Sequence, residues 1–197
     1  MTIRTTLLAG AAALCAFAAA PALAQTAVSA TTDLNVRAGP DPQFEVVTVI
    51  PGGDAAMLNG CNDTGSWCQV DYNGVTGWAY SDYLSEDVGG QTVIVTQRRD
   101  VPVVTYEQTY ERRPTVGRFV AGPQVERIAP PPQQRIQYIE SNPVDPVYLE
   151  GEAVVGAQLP EAVPLRPIPD YDYDYVYVNG QPMLVDPRTR QVVYVVR

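Results

Sequence analysis

The 197-residue chain contains no histidine and no lysine, and its 13 basic residues are all arginine. Lack of histidine removes the commonest general base and metal ligand. Lack of lysine excludes a phosphate-loop lysine and a Schiff-base amine. Positive charge is scarce too: 22 acids leave a net charge of −9. That balance argues against a nucleic-acid partner, because duplex binding rests on cations set against phosphate. Long apolar runs are confined to the N-terminus. There Arg4 precedes an alanine-rich stretch from Leu7 to Ala20, followed by Pro21 and the small residues Ala22 and Ala24. This is the pattern of a secretory leader over 1–24, with cleavage between Ala24 and Gln25 and a periplasmic or secreted destination. No later stretch is long and apolar enough to span a bilayer.

Cysteine is nearly absent as well. Cys15 falls inside the leader, so the mature chain keeps only Cys61 and Cys68. In an oxidising compartment these two are expected to pair, and their spacing is not that of a C-x-x-C redox motif. The residues between them, Asn62 to Ser66, read as a turn, so the bridge would staple a hairpin.

Charge divides the mature chain into three parts. Residues 25–90 hold nine acids and one arginine, Arg37; residues 91–135 hold seven arginines and four acids; residues 136–197 return to nine acids and four arginines. The middle part carries Arg98-Arg99, Arg112-Arg113 and the run Pro130-Pro131-Pro132, with no sustained hydrophobic period. It reads as a Pro/Arg-rich linker, disordered and extended near the prolines, with solvated charges.

The first part reads as short strands between turn clusters. Leu34, Val36 and Ala38 alternate with Asn35 and Arg37; Val46 to Ile50 closes on Pro51-Gly52-Gly53; Ala55 to Gly60, Trp67 to Tyr72 and Val75 to Tyr80 follow, the last two joined by Asn73-Gly74. Five such strands suggest a small barrel. The strings Leu34-Asn35-Val36-Arg37-Ala38-Gly39-Pro40, Ile50-Pro51-Gly52-Gly53, Trp67-Cys68-Gln69-Val70, Gly74-Val75-Thr76-Gly77-Trp78-Ala79 and Ser81-Asp82-Tyr83-Leu84 together resemble the bacterial SH3 domain family. The resemblance implies an SH3-like β-barrel that binds cell-wall or peptide ligands. Leu34 and Val36 are expected inside, Arg37 at the surface or paired with an acid, and Trp78 in the core. Trp67, Tyr72, Tyr80 and Tyr83 are the candidate ligand-binding groove beside the long loop after Pro40.

The third part shows tyrosines at 171, 173, 175 and 177, the period of a half-buried strand. Asn179-Gly180 turns it, Gln181 to Val185 returns, Asp186 to Arg190 turns again, and Gln191 to Val196 makes a third strand. So small a meander needs cover, which Ile136 to Leu165 would supply on one face. Asp170, Asp172 and Asp174 have the spacing of a calcium loop, but Tyr175, Val176 and Gln181 stand where its turn and closing carboxylate belong, so a solvated face is expected. Asn142-Pro143-Val144-Asp145-Pro146 and Tyr175 to Gly180 with Leu184 to Val193 resemble the module called domain of unknown function 1236.

The sequence thus predicts an all-β chain: an SH3-like barrel (25–90), a linker (91–135) and a C-terminal β-meander (136–197). No cofactor, metal site or catalytic residue is expected. The expected function is non-catalytic binding of peptidoglycan or its stem peptides in the cell envelope. The alternative is an envelope protein-interaction adaptor or structural protein without peptidoglycan affinity.

Overall fold

The computed structural model describes residues 26–98, 100–120, 122 and 128–197. The expected leader and its cleavage pair, Ala24 and Gln25, lie outside the described residues.

Eight antiparallel strands form the first sheet: β1 (Thr26–Ala30), β2 (Leu34–Arg37), β3 (Val46–Ile50), β4 (Ala55–Cys61), β5 (Trp67–Tyr72), β6 (Val75–Tyr80), β7 (Leu84–Val88) and β8 (Gln91–Ile94), in spatial order β3-β2-β6-β5-β4-β1-β7-β8. Asn73 and Gly74 both take left-handed φ values, 51° and 79°. That is the two-residue geometry whose twist matches the flanking strands, so β5 and β6 close as a tight hairpin. Inward residues Val28, Leu34, Val36, Ile50, Leu58, Val70 and Leu84 make one buried cluster. Gly77 is required by close approach. A Cβ there would stand 2.6 Å from Val36 Cγ1 and 2.8 Å from the Arg37 carbonyl oxygen. Cys61 and Cys68 face each other across β4 and β5 and are bonded.

The C-terminal module is a four-stranded antiparallel sheet. A helix, α1 (Gln133–Ser141), precedes its strands β9 (Arg166–Pro167), β10 (Asp174–Val178), β11 (Gln181–Val185) and β12 (Val192–Val195), which lie in order β12-β11-β10-β9. The chain is mostly β with one short helix among the described residues, in keeping with the expected all-β class. Alternation along β10 sends Val176 and Val178 to one face and Tyr175 and Tyr177 to the other. Both faces are covered, not one. Leu149, Ala153, Leu159 and Val163 bury the first, while Ile139 of α1 and Ile168 bury the second. A sheet this small excludes water only when sandwiched. Pro182, which has no N–H for a ladder, sits near the start of β11.

The expectation of a disordered linker over 91–135 is corrected for the described residues. Its first four residues form β8 on β7. Further on, the Cys61 N–H donates to Pro102 O at 2.8 Å and the Val104 N–H to Cys61 O at 2.7 Å. The segment then pairs with the C-terminal module: the Val116 N–H donates to Tyr148 O at 2.9 Å and the Phe119 N–H to Glu150 O at 3.0 Å. Charge and aromatic contact hold this strap. Arg98 pairs with Glu86, Arg112 Nε lies 2.9 Å from Asp41, and Tyr110 packs 4.3 Å from the Phe44 ring. A net-positive segment between two acidic modules gains by lying on them.

Candidate functional site: an aromatic cleft and a buried carboxylate

Three of the four candidate groove aromatics come together. Trp67 opens β5 and Tyr80 ends β6, directly opposite in register. Their rings meet edge-on at 5.3 Å, and Tyr83 lies 6.1 Å beyond Tyr80. Tyr72 is at the far end of the β5–β6 hairpin, where its hydroxyl donates to Asp54 at 2.7 Å. It does not join the group. Trp67 is only 5% exposed, so it forms a floor rather than a projecting platform; Trp78, at 2%, is buried as expected, but opposite Arg37 on the outer face of the sheet rather than in the barrel's inner cluster.

Above this floor lies a cleft of about 360 Å³, lined by Trp67, Tyr80, Asp41, Arg112, Arg118 and Glu150 among others. Asp41 is held in place, accepting from the Gln43 N–H at 2.9 Å while paired with Arg112. Arg118 reaches into solvent, with a side chain 73% exposed and its guanidinium 3.6 Å from Glu150. Burial raises the Tyr80 hydroxyl pKa and pushes that of Tyr83 up to about 12. Both phenols are therefore neutral at pH 7. The cleft offers aromatic surface, a cationic arm and carboxylates, a set that fits a short peptide bearing both amine and carboxylate. Arg112 and Arg118 come from the strap and Glu150 from the C-terminal module. Sequence reading missed them because they are distant in the chain; the one available signal was the reversal of charge in the middle segment.

The outward face of β2 carries a second constellation. Glu152 is 1% exposed and Arg37 is likewise 1% exposed. Arg37 Nε donates to Glu152 Oε2 at 2.5 Å and Arg37 Nη2 to Oε1 at 2.7 Å. Asn35 Nδ2 and the Ala153 N–H each donate to Oε1 at 2.9 Å. Two further contacts frame the group: Asn35 Nδ2 also reaches Gln181 Oε1 at 3.0 Å, and Arg197 Nε donates to Asn35 Oδ1 at 3.2 Å. The loop bearing Glu152 is fixed from the hairpin turn. Asn179 Oδ1 accepts from the Leu149 N–H at 2.9 Å and Asn179 Nδ2 donates to Leu149 O at 3.1 Å. Gly151, at φ +86°, turns the chain between Glu150 at the cleft and Glu152 on β2. Arg37 thus pairs with an acid, one of the two outcomes expected for it.

No group of three or more residues suited to hold a metal ion occurs among the described residues. No helix among them is long and apolar enough to cross a membrane.

Comparison with known proteins gives the class. Residues 32–85 match the family described as bacterial SH3 domain, and residues 138–197 match the family described as domain of unknown function, DUF1236. The chain carries a bacterial SH3 domain followed by a DUF1236 domain. Over 60 residues it is also 32% identical to a protein of Bacillus subtilis (strain 168) named putative N-acetylmuramoyl-L-alanine amidase YrvJ. That alignment covers 30% of this chain and 11% of the amidase, so the likeness concerns a small piece of the relative.

Proposed function

We propose that this is an exported, non-catalytic cell-envelope protein whose bacterial SH3 domain binds peptidoglycan through its stem peptides. The observation that carries the reading is the cleft, in which the Trp67–Tyr80 floor lies beneath Arg118 and Glu150. A stem peptide presents aliphatic side chains, carboxylates and a free amine, and each has a counterpart here: ring faces, Arg118, and the Asp41 and Glu150 carboxylates. The relative's name supports a wall setting, since it refers to the N-acetylmuramoyl-L-alanine linkage. The leader pattern and the Cys61–Cys68 bridge support export. A binding rather than catalytic role accords with a chain that has no histidine.

The test is co-sedimentation of the full mature chain with insoluble peptidoglycan. Wild type is expected in the pellet. Arg118→Glu alters a largely exposed side chain, and it is expected to lose retention while keeping the wild-type circular dichroism spectrum. Wild type remaining in the supernatant would favour the adaptor reading instead.

A further inference from the structure

The geometry points to Asn35 and Arg37 as a carboxylate-binding site of the SH3 barrel, filled in cis by Glu152, so that the C-terminal domain acts as a plug that a peptide carboxylate displaces. The inference is separate from the peptidoglycan cleft, because Asn35 and Arg37 do not line that cleft.

The site is built for a carboxylate and for little else. Arg37 presents its Nε and Nη2 edge to both oxygens, the bidentate geometry in which a guanidinium recognises a planar carboxylate. Arg37 Nη1 is anchored separately, donating to Phe44 O at 2.7 Å, so the guanidinium is held by the long loop and not only by its occupant. Asn35 supplies a third barrel donor and is itself oriented through its amide oxygen by Arg197. Both donors sit on one strand at alternate positions, a spacing that puts them on the outer face of β2 while Leu34 and Val36 fill the core. The barrel therefore carries the side-chain donors, and the C-terminal domain adds the carboxylate, one backbone N–H and the Gln181 and Arg197 contacts to Asn35. Glu152 reaches the site on a loop turned at Gly151 that is not paired with β2, whose strand neighbours are β3 and β6. Any carboxylate of similar reach satisfies the same donors once that loop withdraws. A tethered occupant holds its site at high effective concentration, so a competing ligand succeeds only when it adds contacts of its own or when the C-terminal domain is engaged elsewhere.

Chemical rescue of the full mature chain tests the inference. Glu152→Ala removes the occupant and leaves Arg37 and Asn35 in place. Thermal unfolding is followed in acetate, in N-acetylalanine and in chloride at matched ionic strength, on the order of 0.2 M. Acetate imitates a side-chain carboxylate and N-acetylalanine a chain terminus, so the two distinguish the source. The expected result is a midpoint a few degrees higher in at least one carboxylate than in chloride. Wild type is expected to show no such difference, nor is Arg37→Met combined with Glu152→Ala. If Glu152→Ala does not fold in chloride, recovery of folded protein is compared across the same three salts, with the same order expected. Equal behaviour of Glu152→Ala in all three salts overturns the proposal, as does an equal carboxylate effect in the double variant. Peptidoglycan does not enter this assay, so its outcome is independent of the cleft.

Discussion

Arg37 and Glu152 stand 115 residues apart in the chain, yet their side chains meet at 2.5 Å with 2% and 0% of their surfaces exposed. Their contact joins the two domains at a point where neither charge has water to fall back on. Removing one partner leaves the other buried and unpaired, which typically costs about 3–5 kcal/mol. Glu152→Gln or Arg37→Ala is therefore expected to lower the urea midpoint markedly. Arg37→Met with Glu152→Leu removes both charges and is expected to recover much of that loss, as a double-mutant cycle will show.

The Cys61–Cys68 bridge closes a short loop between directly opposed strand residues. In chain-entropy terms such a loop contributes roughly 2.5 kcal/mol. Denaturant unfolding with and without reductant is expected to differ by about this amount, and Cys61→Ser with Cys68→Ser is expected to behave as the reduced protein does.

At Gly77 an added methyl group meets Val36 and the Arg37 carbonyl oxygen at 2.6 and 2.8 Å. One of those neighbours is backbone, so the strands must part. Gly77→Ala is expected to destabilise by roughly 1–3 kcal/mol, the usual cost of overpacking. Because the clash displaces the strand that bears Arg37, amide exchange should quicken across β2 as well as β6.

Alkaline pH gives a further readout. Burial raises the pKa of Tyr80, Tyr171, Tyr175 and Tyr177, and that of Tyr83 to about 12. A phenol whose folded pKa lies above its unfolded value near 10 favours folding while neutral. That contribution is complete below pH 10 and is lost as pH climbs through the folded values toward 12. Urea midpoints are expected to fall over this window, and tyrosinate absorbance in the native protein is expected to lag behind that of the unfolded chain.

Much of the fold was legible because its signals are local. Asn73-Gly74 and Asn179-Gly180 set their hairpins by residue type alone, and alternation at Leu34 and Val36 told which side faces the barrel core, whereas the tyrosine period marked β10 as a strand without telling that both its faces are buried. The strand β8 was missed because Gln91 to Ile94 is short and half exposed, without clear alternation. The helix α1 follows three prolines and holds a single fully buried side chain, Ile139, so its apolar face was too thin to read. The candidate site was only half legible. Trp67, Tyr80 and Tyr83 lie together as strand pairing brings them, but the Arg118, Glu150 and Glu152 contacts depend on how the strap and second domain dock. Docking of that kind has no sequence period. Tyr72 was grouped with the others by residue type, although it lies at the opposite end of the same hairpin.

The chain has two tryptophans, and the structure separates them cleanly. Trp67 lies on the cleft floor beside Tyr80, whereas Trp78 is buried opposite Arg37 and meets Tyr106 edge-on at 5.9 Å. Their two indole N–H resonances therefore report on the cleft and on the buried outer face of β6 beneath the strap within one sample. Titration of the full mature chain with a soluble muropeptide carrying an intact stem peptide tests the binding claim most directly. The account predicts a saturable shift of the Trp67 indole signal while the Trp78 signal stays in place, and loss of that shift in Arg118→Glu. Two indole signals unmoved by excess muropeptide, or a shift confined to Trp78, would contradict it.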